Sequence, residues 1–441
     1  MSEVLALPDW IIKNGAVYQI NPRTFSAEGT IRAVTRELPF LAGLGFGTMY
    51  LCPIFREDDS KENLSARQIA SGTGNPKNPY RISDYFEIDE EYGTMDDLRE
   101  FTAECHNLGM KVMLDLVFLH VGPNAPIIAE HPEFAQHNKD GSIKYTQWNF
   151  PYLNYENEGL REYLYANMVY YVSAIGVDGF RCDVGDGIPA DFWAEGRRRI
   201  RLFKPDAILL NEGSKTELLG VCFDAMYSFG WHEALHSIVM GKADVTLLRE
   251  KWELLNAKMP AYGAAMRDID NHDTVTDWGQ RIETAAGHDG MELIEILTYT
   301  IDGIPMVYCG NELADAKRIS MFANRFYMGG FEATDRGDKT SIHSIRRQEI
   351  IKKLNNLRKT SQTLAVGKTE WIDTERPEAV VAFNRILNDD IITVIGNLSR
   401  ETVKVTVPSV GKAEIMSRGV NRDNDEFTLE LFGYTVVSSD T

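Results

Sequence analysis

A (β/α)8 TIM barrel followed by a small antiparallel β domain is the fold this chain predicts, and three observations carry it. Eight short apolar runs recur along the first 360 or so residues, at 16–20, 48–52, 111–117, 177–183, 207–212, 221–226, 264–270 and 304–310. They are near-continuously apolar rather than alternating, as parallel strands buried on both faces are. Helical patterns separate them, and strand–helix units repeated in this way are the signature of a closed barrel. An open doubly wound sheet would carry a Gly-rich phosphate turn after its first strand, and AVYQINPRTF has none.

The helical segments follow in order. Segment 31–45 has apolar spacing and ends on Gly. Segment 94–109 opens on Thr94 as N-cap, has acidic residues in its first turn and closes on Gly109. Segment 158–176 ends on Gly in the same way, and 189–203, 246–257, 288–302 and 343–360 complete the set. The barrel is assigned to 1–362, with 121–157 as a reduced, loop-like insert after the third strand. From about residue 365 the runs shorten and alternate (AVVAFNRI, IITVIGNL, TVKVTVP, AEIMSR, FTLELFGYTVVSS), which predicts a C-terminal β-sandwich over 365–441. Two long loops stand out as functional candidates: 121–157, with Trp148, Phe150, Tyr152 and Tyr155, and 311–342, with MGGFEATDRGDKTS.

Composition narrows the function. The net charge is −19 and no long basic run occurs, so nucleic acid is excluded as a partner. The densest basic cluster, Arg197, Arg198, Arg199 and Arg201, reads as the exposed face of a helix. No apolar stretch reaches the length of a bilayer span, and MSEVLALPDWIIKNG lacks the features of a secretory leader. The expectation is a cytoplasmic protein with no membrane partner. Five cysteines without a C-x-x-C pair read as reduced, buried thiols and not as a zinc site. Oligomeric state stays open.

Chemistry is signalled by three acids just past strand-like runs: Asp183 in VDGFRCD, Glu212 in AILLNEG and Asp273 in AMRDIDNHD. A carboxylate at the end of a buried strand is costly unless it is paired or used. Each has a polar escort, Arg181, Asn211 and His272. Asp115 and His120 end or follow the third strand, so all would meet at the C-terminal face of the barrel. Taken singly, each has a structural reading: an ion pair for Arg181-x-Asp183, a loop start for Asn-Glu-Gly, a capped turn for Asn-His-Asp, a barrel cap for Asp115. Together they fit the two-carboxylate requirement of retaining glycoside hydrolysis. Side chains at i and i+2 share a face of a strand, so Arg181 can hold Asp183 ionised while Glu212 serves as acid/base.

The motif set resembles the α-amylase family of glycoside hydrolases. AVYQINPRTF and GFGTMYLCPIF resemble the family's first two barrel strands, and the stretch from NPYRISDYFEIDEEYG to KVMLDLVFLH its Tyr-x-x-x-Asp-Tyr region and third strand. GVDGFRCD, NEG, DNHD and GIPMVYCGNE resemble the motifs around strands four, five, seven and eight, so the match spans nearly all of 16–312. The resemblance implies Asp183 as nucleophile, Glu212 as general acid/base and Asp273 as the clamp that distorts the reacting sugar and stabilises the transition state. It implies Arg181 as the group positioning Asp183, His120 and His272 as sugar hydrogen-bonders, Tyr80 as a stacking platform and Asp115 as support. The substrate it implies is an α-glucan or malto-oligosaccharide. An α-glucosidase on short α-glucosides, a transglycosylase or an isomerase uses the same residues. A non-catalytic carbohydrate binder would be expected to have lost a carboxylate, and a metal hydrolase built on Asp115, His120 and His272 is a remote alternative.

The departures are specific. Leu119 stands where the family usually has a calcium-ligating Asn, and Leu cannot ligate a hard cation, so no metal site is expected. Val184, Gly185, Asp186 and Gly187 follow Asp183, where many starch-cleaving members carry Lys-His. Contacts on the leaving-group side must therefore differ. Trp371 is a candidate glucan contact in the C-terminal domain.

Overall fold

In the computed structural model, which describes residues 7–260, 263–324 and 337–439, the eight apolar runs pair into one closed parallel barrel. Its strands are β1 (Val17–Ile20), β2 (Thr48–Leu51), β5 (Lys111–Leu116), β6 (Gly179–Cys182), β7 (Ile208–Asn211), β8 (Ala225–Tyr227), β9 (Ala264–Asp268) and β10 (Ile304–Tyr308). They pair in sequence order around the ring, and β1 closes it on β10 through Val17 opposite Met306. A hairpin of β3 (Phe55–Glu57) and β4 (Ile82–Ile88) stands between β2 and β5, and the sequence reading did not contain it.

The barrel interior is a packed core of Val17, Tyr50, Met113, Ile208, Leu210, Tyr227, Met266 and Met306. Trp10 and Ile11, on a single turn of helix at Asp9–Ile12, join this core, and the Trp10 Nε1 donates to the Asp206 carbonyl at 3.0 Å. The outer helices bury the larger cluster, which continues into the C-terminal domain through Val381, Phe383, Val394 and Val436.

Helix ends follow their sequence signals closely. Thr94 caps Met95–Asn107 in a full capping box with Asp97, and Gly109 adopts φ 75° just beyond it. Glu158–Tyr170 runs on through a π turn, Tyr171–Ile175, to Gly176 at φ 90°. The helix expected at 288–302 begins earlier, at Ile282, and is broken at Gly287. A helix at Phe229–Val239 was not foreseen.

Asp178, immediately before β6, is fully buried and collects four donors: His106 Nε2 at 2.7 Å, Lys204 Nζ at 2.8 Å, Lys111 Nζ at 2.9 Å and the Val112 N–H at 2.9 Å. Burial alone would raise its carboxyl, but these donors hold it well below the ordinary carboxylate range. A depressed folded pKa gives stability that is present above the unfolded pKa and lost as pH falls. Asp178→Ala is expected to destabilise the fold by about 3 kcal/mol in urea titrations at neutral pH. A change within about 0.5 kcal/mol would show that the cluster is not a structural anchor.

The C-terminal strands β11 (Lys368–Trp371), β12 (Val380–Leu387), β13 (Asp390–Asn397), β14 (Val403–Thr406), β15 (Ala413–Asp423) and β16 (Glu426–Ser438) are joined by continuous antiparallel hydrogen bonding through β16. Register shifts in the β15–β16 ladder accompany a sheet in which β16 pairs with β13, β14 and β15. Alternate residues of β12 therefore pack on the barrel (Val381, Phe383) and into a separate domain core (Val380, Ala382). Two expectations need correction. The arginine cluster is not one exposed face: Arg197 is buried against Asp224, which Arg201 also reaches at 2.9 Å, while Arg198 and Arg199 pair with Glu195. Trp371 is not a free glucan platform, because its ring packs on Trp252 at 5.8 Å and Phe383 at 5.7 Å. Of the loop 311–342, residues 325–336 lie outside the described residues.

No helix among the described residues is long and apolar enough to cross a membrane. All five cysteines are buried and none is in a disulfide.

Candidate active site

The strand ends bring Asp115, Arg181, Asp183, Glu212, His272 and Asp273 to one end of the barrel. Asp183, Val184, Glu212, His272 and Asp273 line a cavity of about 100 Å³ together with Ser65, Arg67, Asn78, Tyr80, His120, Trp148, Phe150, Met321 and Phe322. Every residue predicted from the sequence to act or bind there lines it, apart from Arg181, which lies beneath.

Arg181 organises the floor. Its buried guanidinium donates from Nη1 to Asp183 at 2.6 Å and to Asp115 at 2.8 Å, and pairs from Nη2 with Glu212 at 2.6 Å. Asp115 is itself buried and accepts from Tyr50 Oη at 2.6 Å and Tyr80 Oη at 3.0 Å. One fixed positive charge thus faces three carboxylates. Burial pushes the Asp183 carboxyl well up, Arg181 opposes the rise, and Glu212 and Asp115 add to it. Glu212 accepts from two donors, Arg181 Nη2 and the Val184 N–H at 2.8 Å, a bonding pattern suited to a carboxylate.

Val184 is placed by strain. It sits at φ 44°, ψ 43°, a left-handed conformation that a β-branched residue adopts only under constraint, and this directs its N–H to Glu212. The constraint comes from Asp186, which accepts from Asn211 Nδ2 at 2.8 Å, Ser214 N at 2.7 Å and Lys215 N at 3.2 Å. The Val184–Gly187 stretch is thus a turn stapled to the loop that carries Glu212.

Asp273 comes from a different device. Asn271 caps the short helix His272–Asp277 and accepts from the Asp273 and Thr274 N–H groups, both at 2.9 Å. Asp273 therefore sits in a first helical turn, as the capped-turn reading allowed. Burial would raise its carboxyl, but His272, Arg67 and Arg181 together hold it well below the usual range. His272 is itself pushed down by burial. The lasting charges on Asp273 are then Arg67, whose Nη2 lies 2.6 Å from Oδ1, and Arg181.

Both histidines are neutral hydrogen-bonding groups. His120 is pushed down to about 4 by burial; its Nε2 donates to the Tyr80 carbonyl at 2.9 Å, and its Nδ1 has no protein partner. Gln19 Nε2 meets His272 Nδ1 at 3.0 Å, which leaves His272 Nε2 to donate to Tyr80 Oη at 2.6 Å. Tyr80 is stacked on His272 with centroids 5.3 Å apart, so its ring is held rigid at the cavity wall. In the insert, Trp148 and Phe150 reach the cavity beside His120. Tyr152 faces Lys144 instead, and Tyr155 is a core residue bonded to the Phe118 carbonyl.

Leu119 is buried, its side chain faces Gly187, and its carbonyl accepts from Leu153 N at 3.2 Å. Its side chain has no oxygen to offer a calcium ion. Arg67, Gln19 and the Val184 N–H are site groups that sequence reasoning did not find.

Comparison with known proteins places this geometry. A family model described as alpha amylase, catalytic domain, matches residues 13–151 and 143–327. A cyclomaltodextrinase from a Bacillus species is 26% identical over 448 residues, covering 90% of this chain and 74% of the relative. Neopullulanase 2 from Thermoactinomyces vulgaris is 24% identical over 470 residues, covering 93% and 74%. The solved structure of a maltogenic alpha-amylase from Thermotoga neapolitana superimposes with a TM-score of 0.83 at 23% identity, covering 98% of this chain and 100% of that one, which is a likeness of fold.

Proposed function

The chain belongs to the alpha-amylase family and is a glycoside hydrolase, and from that premise we propose that it cleaves α-glucans and malto-oligosaccharides with retention, through a glycosyl-enzyme on Asp183. The observation that carries the reading is the Arg181 cluster, in which one guanidinium holds both Asp183 and Glu212 at the cavity floor.

A bound sugar draws Glu212, protonated as the general acid, off Arg181 and onto the glycosidic oxygen. Arg181, left with Asp115 and Asp183, then favours ionised Asp183. An Asp183 oxygen attacks the anomeric carbon as the glycosidic C–O bond breaks, and the Glu212 proton passes to the leaving oxygen. Glu212, now a carboxylate, takes a proton from water; the water oxygen attacks the anomeric carbon and releases Asp183. Asp273 accepts hydroxyls of the reacting sugar, His120 and His272 bond to it, and Tyr80 packs on its face.

Leu119 supports a reaction with no calcium at that position. Buried cysteines outside any disulfide suit a reducing compartment, and we place the enzyme in the cytoplasm. The test is maltoheptaose hydrolysis after exhaustive chelation, with the first-formed anomer read by proton NMR. Undiminished activity yielding the α-anomer is expected; β-anomer product or a chelation-sensitive rate would refute the scheme.

A further inference from the structure

Arg67, on the short helix Ala66–Ala70, does more than pair with Asp273. Its Nε donates to Asp277 Oδ1 at 2.7 Å while its Nη2 donates to Asp273 Oδ1 at 2.6 Å, and its guanidinium lies over the Phe322 ring, 5.8 Å from the centroid. This group is tied into the barrel from three sides. Gln68 Nε2 donates to the Asn75 and Pro76 carbonyls at 3.0 and 2.7 Å, which fixes the helix on the segment leading to Tyr80. Asn75 Nδ2 donates to the Phe322 carbonyl at 2.9 Å, and Met321 N to Thr276 Oγ1 at 3.0 Å. The segments after β2, β9 and β10 thus form one hydrogen-bonded wall.

We propose that the Arg67 bridge to Asp273 and Asp277, backed by Phe322, closes the cleft beyond the reacting sugar and restricts attack to the non-reducing ends of α-glucan chains. This rests on the retaining-glycosidase reading above. A general acid must reach the oxygen of the bond that breaks, so the leaving group lies on the Glu212 and Val184 side, past β6 and β7. The part of the chain that stays on Asp183 extends the opposite way across the barrel mouth. In the ring order of the barrel, that side belongs to the loops after β2 and β10. There the wall touches Asp273 itself, so a second sugar attached to the non-reducing end of the reacting one meets Arg67 and Phe322 instead of an open groove. Asp273 Oδ1 is engaged by Arg67, and its Oδ2 lies 3.3 Å from His272 Nε2.

The test compares nitrophenyl maltoheptaoside with the same compound whose terminal non-reducing hydroxyls are tied up as an ethylidene acetal, products being resolved by chromatography. The unsubstituted enzyme is expected to cleave the blocked substrate at least about tenfold more slowly than the open one. Arg67→Ala and Phe322→Ala are each expected to raise the blocked-to-open ratio by about tenfold. The ratio is internal, so partial loss of folded enzyme affects both substrates alike. Equal cleavage of the two compounds by the unsubstituted enzyme overturns the closed wall, and an unchanged ratio in both variants overturns the role of Arg67. No cleavage of the open substrate by the unsubstituted enzyme sinks the glycosidase reading itself, and the inference with it.

Discussion

Asp183→Ala is expected to lower kcat on maltoheptaose by about 10⁴-fold or more while the fold persists. The methyl group cannot attack an anomeric carbon, and no other carboxylate in the cluster is free to replace it: Asp115 is locked by Tyr50, Tyr80 and Arg181. The substitution also relieves crowding. Arg181 now serves three carboxylates, and after the change it serves two. Thermal stability should therefore hold or rise, the behaviour of a site whose strain is kept for function. Steady-state kinetics check the first half of this expectation, and circular dichroism and melting curves the second. Turnover within about tenfold of the unsubstituted enzyme would remove Asp183 from the mechanism.

Glu212→Gln is expected to act differently. The amide keeps the shape of the carboxyl but cannot deliver a proton to the leaving oxygen, a service worth about 10²- to 10⁴-fold. The amide also has one acceptor oxygen in place of two, so Arg181 Nη2 or the Val184 N–H loses its acceptor and the resting contacts loosen. The loss should be large on maltoheptaose, whose leaving group needs protonation, and small in the first step with an α-glucosyl fluoride, whose leaving group does not. The second step, lacking its base, then becomes slow, and glycosyl-enzyme accumulates. Equal losses on both substrates would place Glu212 in a binding role only.

What the sequence made legible, and what it hid, has a physical pattern. The barrel strands were visible because burial on both faces leaves a continuous apolar run, and the acids because each breaks such a run at its end. Asp183, Glu212 and Asp273 were therefore readable as one site before any coordinates. Arg67 was not, since it lies in a polar stretch without periodicity and its partner Asp273 is 206 positions away. The burial of Arg197 and the packing of the Trp371 ring are likewise decided by distant partners, Asp224 in one case and Trp252 in the other. Alternation in the C-terminal strands made an antiparallel β domain legible. It could not tell which strands pair, because strand pairing is a non-local choice. Strain at Val184 was equally invisible, as it is imposed by the staple from Asp186.

The central claim is a covalent intermediate on Asp183, and its most direct test is mass spectrometry of the Glu212→Gln enzyme incubated with an α-glucosyl fluoride. The account predicts a mass increase of one glucosyl unit per chain, mapped after peptic digestion to the peptide carrying Asp183. Fluoride release without any adduct, or an adduct mapped to another residue, would contradict it.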